Sequence, residues 1–260
     1  MMGQSDGGES YVQTIRKGLK ALTIDSLTRA ETLFRSALER WPSHASNHLI
    51  YGHIAKIKER QQLPQEALEN YNQALNLNPQ HVELRLDRAA LLYRLGLSSR
   101  ALSDYSEVLN QEPDNLEALQ MRAHIYASLP DAKKARADYE AILRTDPLHE
   151  RAWLGLILLN DRNGRPREAM EQMNGLIAAY PNHALLYAIR GGMEQQRKQY
   201  EQALRDLNRA IEMEPKNADF YVSRATLHLD MKRRKLARSD TQMAVKLGAD
   251  PKEMASLMKK

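Results

Sequence analysis

The sequence predicts an all-α fold, an α-solenoid of about seven helix-turn-helix hairpins closed by a C-terminal capping helix. Three observations predict it. Five prolines, Pro79, Pro113, Pro147, Pro181 and Pro215, follow one another at intervals of 34 residues. An alanine stands twelve residues before each, at Ala67, Ala101, Ala135, Ala169 and Ala203. The composition, 42% hydrophobic and 27% charged with 12 Gly and 10 Pro, suits an ordered helical chain better than a disordered or strand-rich one. A fixed period of this length marks a stack of units, none of which can bury its apolar face alone.

Within each unit the second helix is the clearer. The prolines close the phrases "ALNLNPQH", "VLNQEPDN", "ILRTDPLH", "LIAAYPNH" and "AIEMEPKN". Eight residues before each lies Tyr71, Tyr105, Tyr139, Met173 or Leu207, and five before it Ala74, Val108, Ile142, Leu176 or Ala210. With the alanines, these offsets fall on one helical face. The alanine lets two helices approach closely, and the larger side chains fill the space beside it. A first helix precedes, its small residue twelve positions before that alanine, at Ala89, Ala123, Gly191 and Ala225. Gly96, Pro130 or Gly164 marks the turn between the two. Pro130 should end one helix, and Asp131 should cap the next by accepting from free amides.

A small residue at the eighth place, alanine at the twentieth, an aromatic near the twenty-fourth and proline at the thirty-second resemble the tetratricopeptide repeat. The resemblance covers nearly the whole chain. It implies a right-handed solenoid with repeats at 11–44, 45–81, 82–115, 116–149, 150–183, 184–217 and 218–248. A flexible segment, 1–10, should precede them and a capping helix, 249–260, should follow. Pro42 and Pro79 are 37 residues apart, so repeat two has three extra residues. With Gly52 at the eighth place, these fall in its turn, "ERQQLP", which should protrude. In the last repeat "LGADPKEMASLMKK" replaces the closing proline: Gly248 can end a helix, Asp250 can cap and Pro251 suits the first turn of another.

Several chemistries find no support. The chain has no cysteine, which excludes disulfides, thiolate metal sites and a cysteine nucleophile. His44, His81, His149 and His183 each follow a repeat's proline by two residues, where Asn115 and Asn217 stand in other repeats. They read as turn residues about one repeat apart, not as a metal cluster. There is no phosphate-binding loop and no nucleophile elbow. The expectation is a protein that is not an enzyme, with no cofactor, metal or small-molecule substrate. No run of about 18 apolar residues could span a membrane. The opening "MMGQSDGGES" lacks the basic and apolar regions of a secretory leader, so the compartment is cytoplasmic by default, or an export compartment had a leader been trimmed.

Net charge is +5 and the pI near 9.3, with acidic residues interspersed, so no single field is obvious. The basic run "MKRRKLAR" at 231–238 has no aromatic residues between its cations and reads as a solvated helix face. A nucleic-acid patch is its other reading.

Arg88 is unexpected on an apolar helical face. It holds the seventh place of its repeat and Asp104 the twenty-third, and the same pair recurs as Arg122 with Asp138, Arg190 with Asp206, and Arg224 with Asp240. Repeat five has Leu156 and Gln172, and repeat two, in the register above, has Tyr51 and Asn70. Where the arginine is lost the aspartate is lost as well. Four intrarepeat bridges are expected, each arginine stem packing on apolar neighbours while its guanidinium reaches the second helix.

Resemblance to the family implies a non-enzymatic scaffold that binds a peptide segment or a partner helix in a concave groove lined by the first helices. A chaperone-tail clamp would need lysine and asparagine at the fifth and ninth places of one repeat, and no repeat has them. The groove candidates are Asp87, Tyr93, Arg94, Gln120, Met121, His124, Arg151, Leu154, Leu158, Arg162 and Ile189, a partly apolar stripe with polar edges. The alternative is a nucleic-acid-binding helical repeat that uses the basic surface.

Overall fold

The computed structural model describes residues 10–129 and 132–259, which form fifteen helices and no strand. The helices pair in order: α1 (Tyr11–Thr23) with α2 (Leu27–Arg40), α3 (Asn47–Arg60) with α4 (Pro64–Leu77), α5 (Val82–Arg94) with α6 (Ser98–Gln111), and α7 (Leu116–Ser128) with α8 (Ala132–Thr145). These make one compact unit, up to Thr145. From Asp146 a second unit holds α9 (Glu150–Arg162) with α10 (Pro166–Ala179), α11 (Ala184–Gln196) with α12 (Tyr200–Met213), α13 (Ala218–Asp230) with α14 (Arg234–Lys246), and α15 (Pro251–Leu257) against α14. No described helix is long and apolar enough to cross a membrane.

The hairpin turns share one backbone solution. In six of them the middle residue is left-handed: Asp25, Gln62, Gly96, Gly164, Lys198 and Lys232, with φ between 58° and 75°. The amide of the next residue then reaches back to a carbonyl five positions earlier, as Leu97 does to Leu92 at 2.9 Å and Gln199 to Glu194 at 2.9 Å. This closure satisfies carbonyls that a helix end otherwise leaves free. Pro130 and Asp131 lie outside the described residues, as do residues 1–9 of the N-terminal segment. At the far end Gly248 is left-handed, Asp250 caps α15 through Lys252 N at 2.8 Å, and Pro251 opens that helix.

Alanine decides how closely the paired helices meet. Ala67, Ala101, Ala135, Ala169 and Ala203 are fully buried, as are Ala89 and Ala123 opposite two of them and Ala225 opposite the equally buried Ala237. At Gly191 even one added carbon would press on Ala203 O at 3.2 Å and Leu207 Cγ at 3.2 Å. Tyr71, Tyr105, Tyr139, Met173 and Leu207 fill the space beside the alanines, all buried.

Repeat two departs from the expected register. Its turn, Gln61–Leu63, has three residues like the others, so "ERQQLP" does not protrude. Two of the three extra residues lie ahead of α3, where the connection from α2 runs over residues 41–46 against four residues at 78–81 and at 112–115, and the third lengthens α3 to 14 residues against 13 in α5 and α7. The connecting residues fold into a compact corner. Asn47 is buried and donates to Trp41 O at 2.8 Å and Pro42 O at 3.0 Å, and the His44 ring stacks on Tyr11 at 3.5 Å. Ala55, twelve residues before Ala67 and fully buried, holds the place assigned to Gly52. Gly52 is small for another reason: an added carbon would strike Leu84 Cδ2 of α5. A glycine required by the next hairpin mimicked one required by its own.

Candidate functional site

The arginine that sequence places on an apolar face is held from two sides. Arg88 Nε donates to Asp104 Oδ2 at 2.8 Å and Nη2 to Oδ1 at 2.7 Å, a bidentate pair between α5 and α6. Its third nitrogen, Nη1, donates to Asn72 Oδ1 at 2.9 Å on α4, in the preceding hairpin. The pattern repeats. Arg122 takes Asp138 at 2.9 and 2.7 Å and Ser106 Oγ at 3.1 Å. Arg190 takes Asp206 at 2.6 and 2.8 Å and Asn174 Oδ1 at 2.8 Å. Arg224 takes Asp240 at 2.9 and 2.7 Å and Asn208 Oδ1 at 2.8 Å. Each arginine thus bonds the residue sixteen ahead and the residue sixteen behind, tying its hairpin internally and to its neighbour.

These aspartates are buried and the arginines partly so. Hydrogen bonds to Asp138, Asp206 and Asp240 hold the Arg122, Arg190 and Arg224 guanidiniums above their ordinary value. A pair so neutralised and saturated offers little to a ligand carboxylate. Where the arginine is missing the local solution differs. In α9–α10, Leu156 is buried and Asn160 donates to Gln172 Oε1 at 2.8 Å. In α3–α4 the corrected register puts Ile54, not Tyr51, sixteen residues before Asn70, and Asn70 turns to Glu66 O at 2.7 Å.

Two of the four histidines after the prolines cap a helix, whereas His183 makes no capping bond. His81 and His149 accept through Nδ1 from Leu84 N at 3.4 Å and Ala152 N at 3.1 Å, capping α5 and α9. Asn115 does the same for α7 through Ala118 N at 3.0 Å. This is why His and Asn interchange there: each presents an acceptor to amides that a helix start leaves unpaired. A further periodic contact escaped the sequence reading. Six residues after the proline, Trp153 Nε1, Tyr187 OH and Tyr221 OH donate to the carbonyls of Pro147, Pro181 and Pro215 at 2.9, 3.0 and 3.1 Å. The common spacing was the available signal.

The groove candidates divide by unit. In the first unit Asp87 is engaged by Lys56 Nζ at 2.8 Å and Arg94 by Glu59, so both charges are already paired between neighbouring first helices. Tyr93 and His124 meet edge to face at 5.7 Å, with His124 exposed. Gln120 and Met121 are half-buried. In the second unit Leu154 and Ile189 lean on the core around Ile157, Met173 and Leu186. Leu158 is 41% exposed, and Arg151 and Arg162 are exposed. On α11, Leu185 is 43% exposed, a position the sequence reading omitted. Among the described residues no three His, Cys, Asp or Glu side chains gather as a metal site.

A family model of the tetratricopeptide repeat matches residues 53–115, 121–184 and 194–252. The chain belongs to the tetratricopeptide repeat family. Among solved structures, this tetratricopeptide repeat chain is similar to a tetratricopeptide repeat protein from Parabacteroides merdae, with TM-score 0.80, 27% identity, and 97% of this chain and 98% of that one covered. PilW, a type IV pilus biogenesis factor, is similar at TM-score 0.64 and 17% identity over 81% of this chain and 98% of its own. YrrB, a repeat protein with an unusual peptide-binding site, is similar at TM-score 0.56 and 19% identity over 77% and 97%. Comparison with curated proteins gives no match.

Proposed function

We propose that this protein is a non-catalytic interaction scaffold whose first-helix faces bind a peptide segment or a partner helix. The tetratricopeptide fold is a general protein–protein interaction scaffold, and stacked hairpins leave a continuous face for a partner. The observation that carries the assignment is on the second unit. Leu158 of α9 and Leu185 of α11 stand out from helices in which Leu156, Leu159 and Leu186 are buried and Leu154 is half-buried. Arg151 and Arg162 provide charged edges to that stripe. Apolar side chains at helical spacing with a polar rim suit an amphipathic segment.

Arg151→Glu combined with Leu158→Asp tests this. Both positions are exposed, so the variant should melt like the parent, whereas Leu154 would be a poor choice because it packs on the core. In a pull-down from the native source the variant should lose the partner that the parent retains. Undiminished recovery moves the site elsewhere. Nucleic-acid binding is the second reading, on the strength of the basic run at 231–238, and it predicts retention of RNA or DNA that weakens steeply as salt rises.

A further inference from the structure

Charge is not spread evenly along the chain. Residues 231–260 hold nine Lys and Arg against three Asp and Glu, which leaves 29 against 30 in the first 230 residues, so the net +5 resides at the C-terminal end. One of the three acids, Asp240, is buried and engaged by Arg224. Arg234, Lys235 and Arg238 stand exposed on α14, with Lys232 on the turn before it. None of these four has an ion pair among the described residues, while Arg233 pairs with Glu201 at 3.0 Å. The start of α14, like those of α2 and α6, has no side-chain cap and no acidic residue in its first turn, whereas α4, α10 and α12 have Glu66, Glu168 and Glu201 there. Cations at a helix N-terminus oppose its dipole, so the run does not serve the helix. A local conflict of this kind points to a role outside the fold.

The opposite charge collects at the corner between α6 and α7. From Ala101 to Met121 there are five acidic residues and no Lys or Arg. Asp104 is buried under Arg88, which leaves Glu107, Glu112, Asp114 and Glu117, the last three exposed. None of these four has an ion pair among the described residues; Asn110 and Asn115 donate to Glu107 and Glu112 at 3.2 and 2.7 Å. Each corner also presents an exposed leucine. Leu116, 44% exposed, stands between Asp114 and Glu117, and Leu236, 49% exposed, between Lys235 and Arg238.

We propose that the two corners are the halves of one interface, the α13–α14 corner of one chain docking on the α6–α7 corner of a second copy. Four unpaired cations meet four unpaired carboxylates, and an exposed leucine flanks each charged group. The two surfaces differ, so the contact is heterologous and adds copies in series unless the rotation closes a ring. The run from Lys232 to Arg238 holds no aromatic side chain on which bases could stack, which favours a protein partner over single-stranded nucleic acid.

Sedimentation velocity of the full chain at rising concentration tests the pairing. The screening length falls from about 10 Å at 0.1 M salt to about 3 Å at 1 M, so self-association should appear at the lower salt and weaken by about tenfold at the higher. Lys235→Glu with Arg238→Glu, and separately Glu112→Lys with Asp114→Lys, should each give a folded monomer with the parent's circular dichroism. Mixed in equal amounts, the two variants should associate, since each now presents the charge the other needs. A parent chain that stays monomeric at low salt overturns the proposal, and so does an association that either variant retains alone. A mixture that fails to associate overturns it too, as does a monomeric parent chain that instead captures poly-glutamate or RNA on the basic corner.

Discussion

Arg88 and Asn72 belong to different hairpins and are joined by a hydrogen bond of 2.9 Å, made with the one guanidinium nitrogen that Asp104 does not use. The same arginine therefore sets the spacing within a hairpin and the seating of that hairpin on the one before. Arg122 repeats the arrangement with Asp138 and Ser106.

Breaking one partner of this latch should be more damaging than replacing both. Arg122→Met leaves Asp138 buried without its cation, for which a loss of about 3–5 kcal/mol is usual, less here because the arginine is partly exposed. Arg122→Met with Asp138→Leu should recover most of that loss. Urea unfolding of the two single variants and the double variant measures the coupling, and a value near zero removes the latch from the account of stability.

Left-handed turn residues that are not glycine strain the backbone. Lys198 and Lys232, with φ of 60° and 58°, each bear a penalty of about 1–2 kcal/mol that glycine avoids, offset by the roughly 0.5–1 kcal/mol of extra freedom glycine loses on folding. Lys198→Gly should stabilise by about 0.5–1 kcal/mol, seen as a raised thermal midpoint. Gly164→Ala, at φ of 75°, should do the reverse.

Glu194 should make stability depend on pH near neutrality. Burial first, then the charge of Asp206, pushes its carboxyl up to about 7 against the pull of Arg190, and its Oε2 is buried without a hydrogen-bond partner. A carboxyl whose folded value is raised contributes stability that is present below its unfolded value, about 4.3, and lost as pH rises through about 7. Glu194→Gln should therefore melt higher than the parent at pH 8, with the difference shrinking towards pH 5. Parallel melting curves across that range would contradict the assignment.

Helix capping by histidine should be replaceable by asparagine. His149→Asn preserves an acceptor for Ala152 N, whereas His149→Ala should cost about 1 kcal/mol of unfolding free energy. Chemical denaturation of both variants separates capping from any other use of the ring, because a loss equal in Asn and Ala would exclude it.

The period and the helical faces were legible because one hairpin's packing is local: offsets of four, seven and twelve residues place the alanines and aromatics without knowledge of neighbours. The sixteen-residue spacing of Arg88 and Asp104 was legible for the same reason. Asn72, Ser106, Asn174 and Asn208 stand sixteen residues before the four arginines, so that half of the latch was written in the sequence as well and was passed over. The misplaced register of repeat two had a physical source, since Gly52 answers to Leu84 of the next hairpin and not to its own partner helix.

By itself, the sequence determined the hairpin unit, its number, its family and its capping helix, since each follows from short-range periodicity that a helix imposes on its own residues. Only the tertiary structure decided which candidate charges remain available to a partner. Asp87 and Arg94 are taken by Lys56 and Glu59 of the neighbouring first helix, while Leu158 and Leu185 stay exposed. Such pairings depend on how far a side chain reaches across a packed helix interface, a distance that no spacing along one chain encodes.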